Sequence, residues 1–137
     1  MVGSVVTVGV LALQGDITKH QHAIEKQGYQ TLQVRKPQQL EFIDALVLPG
    51  GESTAIIRLM RPWSFIEAIQ DFSRAGKPVF GTCAGAILLA NEVLPSQERL
   101  SLMDIEITRN AYGSQLESFT AKAAKHMFNT KELPLVF

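Results

Sequence analysis

The feature that most limits the fold is an apolar run near the start of the chain. The run extends from Val5 to Leu13 and is rich in valine and leucine, with one threonine and one glycine. Such runs are typical of strands buried on both faces of a parallel sheet, because they lack an alternating polar face. Gln14-Gly15-Asp16 then turns the chain, and the pattern that follows predicts a helix from Ile17 to Gln27, which Gly28 ends.

Strand and helix patterns alternate along the next part of the chain. Three short apolar runs predict further strands, at Thr31–Val34, Ala45–Leu48 and Pro78–Thr82. Helices are predicted at Ser53–Met60 and Trp63–Arg74, separated at Pro62 because proline cannot continue a helix. This alternation predicts an α/β fold of three layers, in which a mostly parallel sheet has helices on both faces. We expect residues 1–137 to form a single domain.

The last third of the chain is less regular. It predicts a strand at Leu102–Thr108, a loop at Arg109–Gln115 and the start of another strand at Glu117–Phe119. The final residues, Leu133–Phe137, form an apolar run without a polar cap. Because natural termini seldom lie inside a core strand, we expect the fold to be incomplete at its C-terminal end.

Composition excludes several classes of function. Lysine plus arginine and aspartate plus glutamate each number 13, and this balance gives no reason to expect nucleic acid or a membrane as a partner. A single cysteine rules out an internal disulfide and suits a reducing compartment. The first residues lack the basic start of a signal peptide. We therefore expect a cytoplasmic protein. We also expect neither a metal ion nor a cofactor.

That cysteine lies in Gly81-Thr82-Cys83-Ala84-Gly85, between a predicted strand and an alanine-rich helical run. The arrangement is that of a G-x-S-x-G nucleophile elbow with sulfur in place of oxygen, and the glycines allow the sharp turn. The first N–H groups of a helix favour a thiolate at this position. A buried packing cysteine is the alternative, but it would need neither glycine. The pattern favours Cys83 as a nucleophile.

Three segments follow predicted strands and should meet at one edge of the sheet: Gln14-Gly15, Pro49–Ser53 and Cys83. The glycines after Pro49 would let bare backbone N–H groups face a ligand oxygen, and Ser53 is a good N-cap for the next helix. One such N–H and that of Ala84 would form an oxyanion hole around Cys83. In isolation, however, Pro-Gly-Gly is more often simply a turn.

Four motifs together resemble the class I glutamine amidotransferases, and more narrowly the glutaminase subunit of pyridoxal phosphate synthase. They are Gly9–Gly15, Leu48–Thr54, Gly81–Gly85 and Arg109–Gln115, the last followed by Glu117–Phe119. The resemblance implies a flavodoxin-like fold and a glutaminase. Cys83 would attack the side-chain amide of L-glutamine and form a thioester, and the ammonia would pass to the synthase subunit that makes pyridoxal phosphate, vitamin B6.

The resemblance also implies roles for individual residues. Gly51 and Ala84 match the oxyanion-hole positions, and the positions that hold glutamine match Gly51, Glu52, Ser53 and Arg109. An arginine suits this task because its guanidinium binds a carboxylate through two hydrogen bonds. Gln14 matches a position near the oxyanion hole, on the side that faces the synthase subunit.

One part of the family pattern is missing. Family members carry a histidine and a glutamate on a later strand and turn, and nothing after Cys83 resembles that segment. His20 and His22 lie on the first predicted helix and His126 in a lysine-rich stretch, so none is expected to be the base. We therefore expect weak or absent turnover. The alternative is a non-catalytic fragment that binds the partner; another cysteine-elbow family would lack the motifs at 49–54 and 109–119.

Overall fold

A parallel sheet of four strands forms the centre of the fold in the computed structural model, which describes residues 4–113, 115–123 and 132–136. The strands are β1 (Thr7–Leu11), β2 (Gln30–Val34), β3 (Ala45–Leu48) and β4 (Val79–Gly81). Their order is β2-β1-β3-β4, so β1 and β3 occupy the middle. Gly9 of β1 pairs with Leu32 on one side and Leu46 on the other. The predicted parallel sheet is confirmed.

Helices lie on both faces of this sheet. One face carries the hydrophobic core, which includes Leu46 and Leu48 of β3 together with residues of α2 (Ser53–Met60), α3 (Phe65–Arg74) and α4 (Ala84–Leu89). The other face carries α1 (Ile17–Glu25), where Val8, Val47 and Phe80 of the sheet line an apolar groove of about 320 Å³ against the helix. None of the residues of α1 is fully buried. The predicted three-layer α/β arrangement is confirmed.

The boundaries differ from the prediction at several points. Val5 and Val6 lie outside β1 and are exposed by 55% and 42%, because the pairing with β2 begins only at Thr7. Helix α1 ends two residues early, and a 3₁₀ turn at Arg61–Trp63 replaces the predicted start of α3. Pro62 imposes the break between α2 and α3, because proline has no backbone N–H to donate. Such shifts of one or two residues leave the order of the elements unchanged.

Beyond α4 the chain forms small sheets. Strand β5 (Ala90–Leu94) was not predicted, and it forms a two-stranded sheet with β6 (Met103–Thr108), which was. Strands β7 (Thr120–Lys122) and β8 (Pro134–Val136) pair antiparallel. The predicted strand start at Glu117–Phe119 is wrong, because residues 115–117 form a 3₁₀ turn and β7 begins only at Thr120.

The chain divides into two compact units, Met1–Ile107 and Thr108–Phe137, and each is described by itself. The single domain over residues 1–137 stays a prediction. None of the helices in the described parts of the chain has the length and apolar character that a membrane crossing requires. All four strands of the central sheet belong to the first unit, so the segments that follow β1, β3 and β4 emerge at the same edge.

We expect Gly85→Ala to destabilise the protein although alanine is the better helix former. A Cβ atom on Gly85 would lie 2.1 Å from the backbone oxygen of Leu48, so α4 would have to move away from β3. The free energy of unfolding should fall by about 1–3 kcal/mol, measured by urea denaturation. Helix propensity alone would raise it by about 1 kcal/mol.

Ala86→Gly at the neighbouring helix position is the matched control, because it measures the propensity contribution without a backbone clash. A Gly85→Ala variant at least as stable as the natural chain would contradict the close packing of α4 on β3.

Candidate active site

Cys83 occupies a sharp corner between β4 and α4, with only Thr82 between it and the strand. Its backbone has φ +51° and ψ −111°, a conformation that is strained for any residue other than glycine. The N–H of Thr82 donates to the backbone oxygen of Leu48 at 3.1 Å, and the oxygen of Thr82 accepts the N–H of Gly85 at 2.9 Å. The side chain of Cys83 is exposed and carries a free thiol. The predicted strand-to-helix corner is confirmed.

The two glycines around Cys83 are required by close backbone approach. A Cβ atom on Gly81 would lie 2.5 Å from the backbone carbon of Gly85, and one on Gly85 would meet Leu48. Real Cβ atoms do not come this close to backbone atoms, so α4 can begin immediately after β4 only if both positions lack a side chain. The spacing of the glycines therefore follows from the turn itself.

The bend after β3 lies beside the thiol. A Cβ atom on Gly50 would be 3.3 Å from the Cβ of Cys83 and 4.0 Å from its Sγ. Gly51 has φ +147°, which a residue with a side chain would rarely adopt. Two of the three predicted segments thus meet at the carboxyl edge of the sheet, with the sulfur next to the glycine backbone.

The loop after β1 completes this arrangement. The side-chain oxygen Oε1 of Gln14 accepts the backbone N–H of Glu52 at 2.9 Å. A Cβ atom on Gly15 would lie 1.8 Å from the backbone oxygen of Gly50, so the two loops touch through their main chains. All three segments that were predicted to converge are therefore in contact, and Gln14 supports the bend that contains Gly51.

The N-cap of α2 differs from the prediction. Glu52 is the cap, because its carboxylate accepts the N–H of Ala55 at 2.9 Å and the hydroxyl of Thr54. Ser53 is instead the first residue of the helix; it is 2% exposed, and its hydroxyl donates to Oε1 of Gln97 at 3.0 Å. The predicted cap at Ser53 is wrong, since the longer side chain one position earlier reaches the free N–H groups first. The hydroxyl of Ser53 is thus directed into the protein.

Two further candidates, Arg109 and His126, belong to the last thirty residues of the sequence. Arg109 is half-buried and lies in a turn of the second unit, Thr108–Phe137. His126 lies outside the described residues. The roles of Arg109, Glu52 and Ser53 toward a substrate stay predictions. In residues 4–113, 115–123 and 132–136, no group of three or more histidine, cysteine or carboxylate side chains could hold a metal ion.

One contact was missed by sequence analysis. Nε2 of His20 lies 2.8 Å from the hydroxyl oxygen of Thr82, the residue that precedes Cys83. His22, two positions further along α1, is exposed. No local pattern could have indicated the contact, because 62 positions separate the two residues.

An exposed ion pair lies at the start of α1. Nζ of Lys19 is 2.9 Å from the carboxylate of Asp16, and this hydrogen bond lowers the pKa of Asp16 and raises the pKa of Lys19 from their ordinary values. Both side chains are open to water, which screens their attraction, so the pair adds little to stability. In the sequence, Asp16 directly follows Gln14 and Gly15.

Comparison with known proteins agrees with this geometry. A model of the SNO glutamine amidotransferase family matches residues 10–137. A pyridoxal 5'-phosphate synthase subunit PdxT from Pelotomaculum thermopropionicum is 55% identical over 115 residues, which are 83% of this chain and 59% of that protein. A subunit of the same name from Brevibacillus brevis is 50% identical over 113 residues, 82% of this chain and 59% of that protein. The chain thus spans about three fifths of the length of these curated relatives.

A solved structure gives the same result for the fold. The crystal structure of a glutamine amidotransferase aligns with a TM-score of 0.76 and 44% sequence identity, over 84% of this chain and 62% of that one. Together with the parallel sheet, this confirms the flavodoxin-like fold of class I glutamine amidotransferases. From its motifs, its fold and the family match over residues 10–137, this chain belongs to the SNO glutamine amidotransferase family.

Proposed function

We propose that this chain carries the nucleophilic half of a glutaminase site, with Cys83 as the nucleophile. The observation that carries the proposal is the position of the exposed thiol beside Gly50 and Gly51, the glycine bend. A Cβ atom on Gly50 would be 4.0 Å from the Sγ of Cys83. A packing cysteine would be buried and would need no bare backbone next to it. Membership of a glutamine amidotransferase family supports the same reading.

The chemistry follows from these positions. The sulfur of Cys83 attacks the side-chain amide carbon of L-glutamine, and a C–S bond replaces the C–N bond. The amide nitrogen takes up the proton that the thiol gives up and leaves as ammonia. Water then attacks the thioester, which releases glutamate and restores the thiol. The carbonyl oxygen carries negative charge in both steps, so preorganised N–H donors near the sulfur lower both barriers.

Two backbone groups are proposed as these donors. Ala84 is the first residue of α4, where an N–H group has no partner within the helix. The second is the N–H of Gly51. The carbonyl of Gly50 faces Gly15, and in a trans peptide the following N–H points the opposite way, away from that loop. Neither donor needs a side chain, which agrees with the small residues, glycine and alanine, at positions 51 and 84.

Glutamine binding is proposed for residues 51–53 and for Arg109. Because the hydroxyl of Ser53 is engaged with Gln97, Ser53 would contribute its backbone N–H in the first turn of α2. The exposed Glu52 would offer its carboxylate to the ammonium group of the substrate. Arg109 is proposed as the partner of the substrate carboxylate on the strength of its motif and of guanidinium chemistry.

We further propose that the ammonia passes to a synthase subunit. The relatives named above are subunits of pyridoxal 5'-phosphate synthase, so the product would be pyridoxal phosphate and the assembly a hetero-oligomer. Gln14, which supports the glycine bend from the rim of the site, would lie on the side of that partner. A free thiol that must stay reduced fits a cytoplasmic location.

A second candidate function is partner binding without catalysis. Within the described residues the two histidines, His20 and His22, lie on α1, and Nε2 of His20 is already hydrogen-bonded to Thr82. A cysteine without a free base has no ready means of protonating the leaving ammonia. This observation favours slow turnover, and in the limit a fragment that binds the synthase subunit and does no chemistry.

A glutamate-release assay of this chain with a pyridoxal phosphate synthase subunit separates the two functions. We expect slow release that disappears in Cys83→Ala, because the thiol supplies the covalent step. Partner binding, measured in parallel by sedimentation, should be equal for both chains. Release that persists in Cys83→Ala would refute the nucleophile, fast release without the partner would refute slow turnover, and binding with no release above background would favour the second function.

A second prediction concerns the support of the glycine bend. We expect Gln14→Leu to lower the rate of glutamate release about three- to tenfold, since it removes the acceptor for the N–H of Glu52 and loosens Gly51. Gln38→Leu is the matched control, because Gln38 is exposed and follows β2 in the sequence. This variant should release glutamate at the rate of the natural chain. Equal rates for the two variants would show that Gln14 does not hold the bend.

A further inference from the structure

Helix α1 reaches the nucleophile corner through His20. Its Nε2 lies 2.8 Å from Oγ1 of Thr82, which directly precedes Cys83. Both side chains are half-buried, so water competes less for this hydrogen bond than it would at the surface. The bond joins helix α1, on one face of the sheet, to the end of the edge strand β4.

The other ring nitrogen fixes the direction of the hydrogen bond. Nδ1 of His20 lies 2.7 Å from the backbone oxygen of Asp16, and a carbonyl oxygen can only accept. In the neutral form of the imidazole, Nδ1 therefore carries the proton and Nε2 is left as an acceptor. The hydroxyl of Thr82 donates to it, and the ring is held at both nitrogens.

Cys83 requires support of this kind because its backbone is strained. A non-glycine residue at φ +51° and ψ −111° is strained, and such a conformation persists only when its surroundings fix it. The backbone of Thr82 is fixed on both sides, by Leu48 and by Gly85. The hydrogen bond with His20 fixes the side chain of Thr82 as well. With both its backbone and its side chain held, Thr82 has one orientation, and this orientation fixes the backbone position of the next residue, Cys83.

We propose that His20 is a positioning residue for Cys83. It holds Thr82 in one rotamer and ties the first turns of α1 to the corner, while Gln14 and Gly15, just before α1, contact the glycine bend. One segment, residues 14–20, therefore braces both sides of the thiol. Loss of the His20 bond lowers the reactivity of the thiol toward small electrophiles; its effect on glutamine hydrolysis rests on the proposed function.

The test measures the rate at which iodoacetamide alkylates Cys83 in the full chain at neutral pH. His20→Asn keeps a donor for the oxygen of Asp16 but is too short for Thr82, whereas His20→Gln reaches Thr82. We expect the first variant to react about three- to tenfold more slowly, which is the factor expected for one hydrogen bond. The second should stay within about twofold of the natural chain.

A second pair of variants tests the same bond from its other end. Thr82→Val removes the hydroxyl and should slow alkylation as His20→Asn does, while Thr82→Ser keeps it and should not. Because the two side chains act through one contact, the double variant should be no slower than either single variant. His22→Asn, at the exposed histidine of the same helix, should leave the rate unchanged. The ¹⁵N spectrum should show His20 protonated at Nδ1.

Several outcomes would overturn the inference. Equal rates for the natural chain, His20→Asn and Thr82→Val would show that the bond does not control the thiol. An equal fall for His20→Asn and His20→Gln would assign the effect to the ring and not to the bond. If the histidine variants fail to fold, the Thr82 pair decides by itself. Alkylation needs no glutamine, so this inference and the proposed function can fail separately.

Discussion

Helix α4 approaches β3 so closely that a Cβ atom on Gly85 would overlap the backbone carbonyl of Leu48, at 2.1 Å from its oxygen. The same carbonyl accepts the N–H of Thr82, so the end of β3 fixes the corner from two directions. Since the glycine bend follows β3, the contacts that hold Thr82 and Gly85 against Leu48 also hold the corner against that bend. The position of the thiol beside bare backbone is a consequence of this contact.

The candidate site is built mainly from main-chain groups. Gly15 meets the carbonyl of Gly50, Gly50 meets Cys83, and the N–H of Glu52 is held by a side chain from the loop after β1. Backbone dipoles that are already fixed by such contacts need no reorganisation when charge develops on a substrate oxygen. The glycines therefore let these loops approach one another through their main chains, where a side chain would keep them apart.

Much of the fold could be predicted from sequence because its signals are local. The continuous apolar runs predicted the strands of a parallel sheet, and the prolines and glycines predicted where helices stop. The errors arose where a boundary depends on a partner: Val5 and Val6 are apolar, but the register of β1 with β2 begins only at Thr7. The cap of α2 was misplaced by one residue, because the reach of Glu52 into its own helix depends on the backbone of the preceding bend.

The spacing of Gly81, Cys83 and Gly85 determined by itself that the chain makes a sharp strand-to-helix corner, since a tight turn imposes its steric demands within five residues. Only the tertiary structure decided what surrounds that corner. Gln14 and Glu52 are 38 positions apart and His20 and Thr82 are 62, and each pair meets because parallel strands bring distant loops to one edge. Contacts of that kind leave no local pattern, because nothing in either segment specifies its partner.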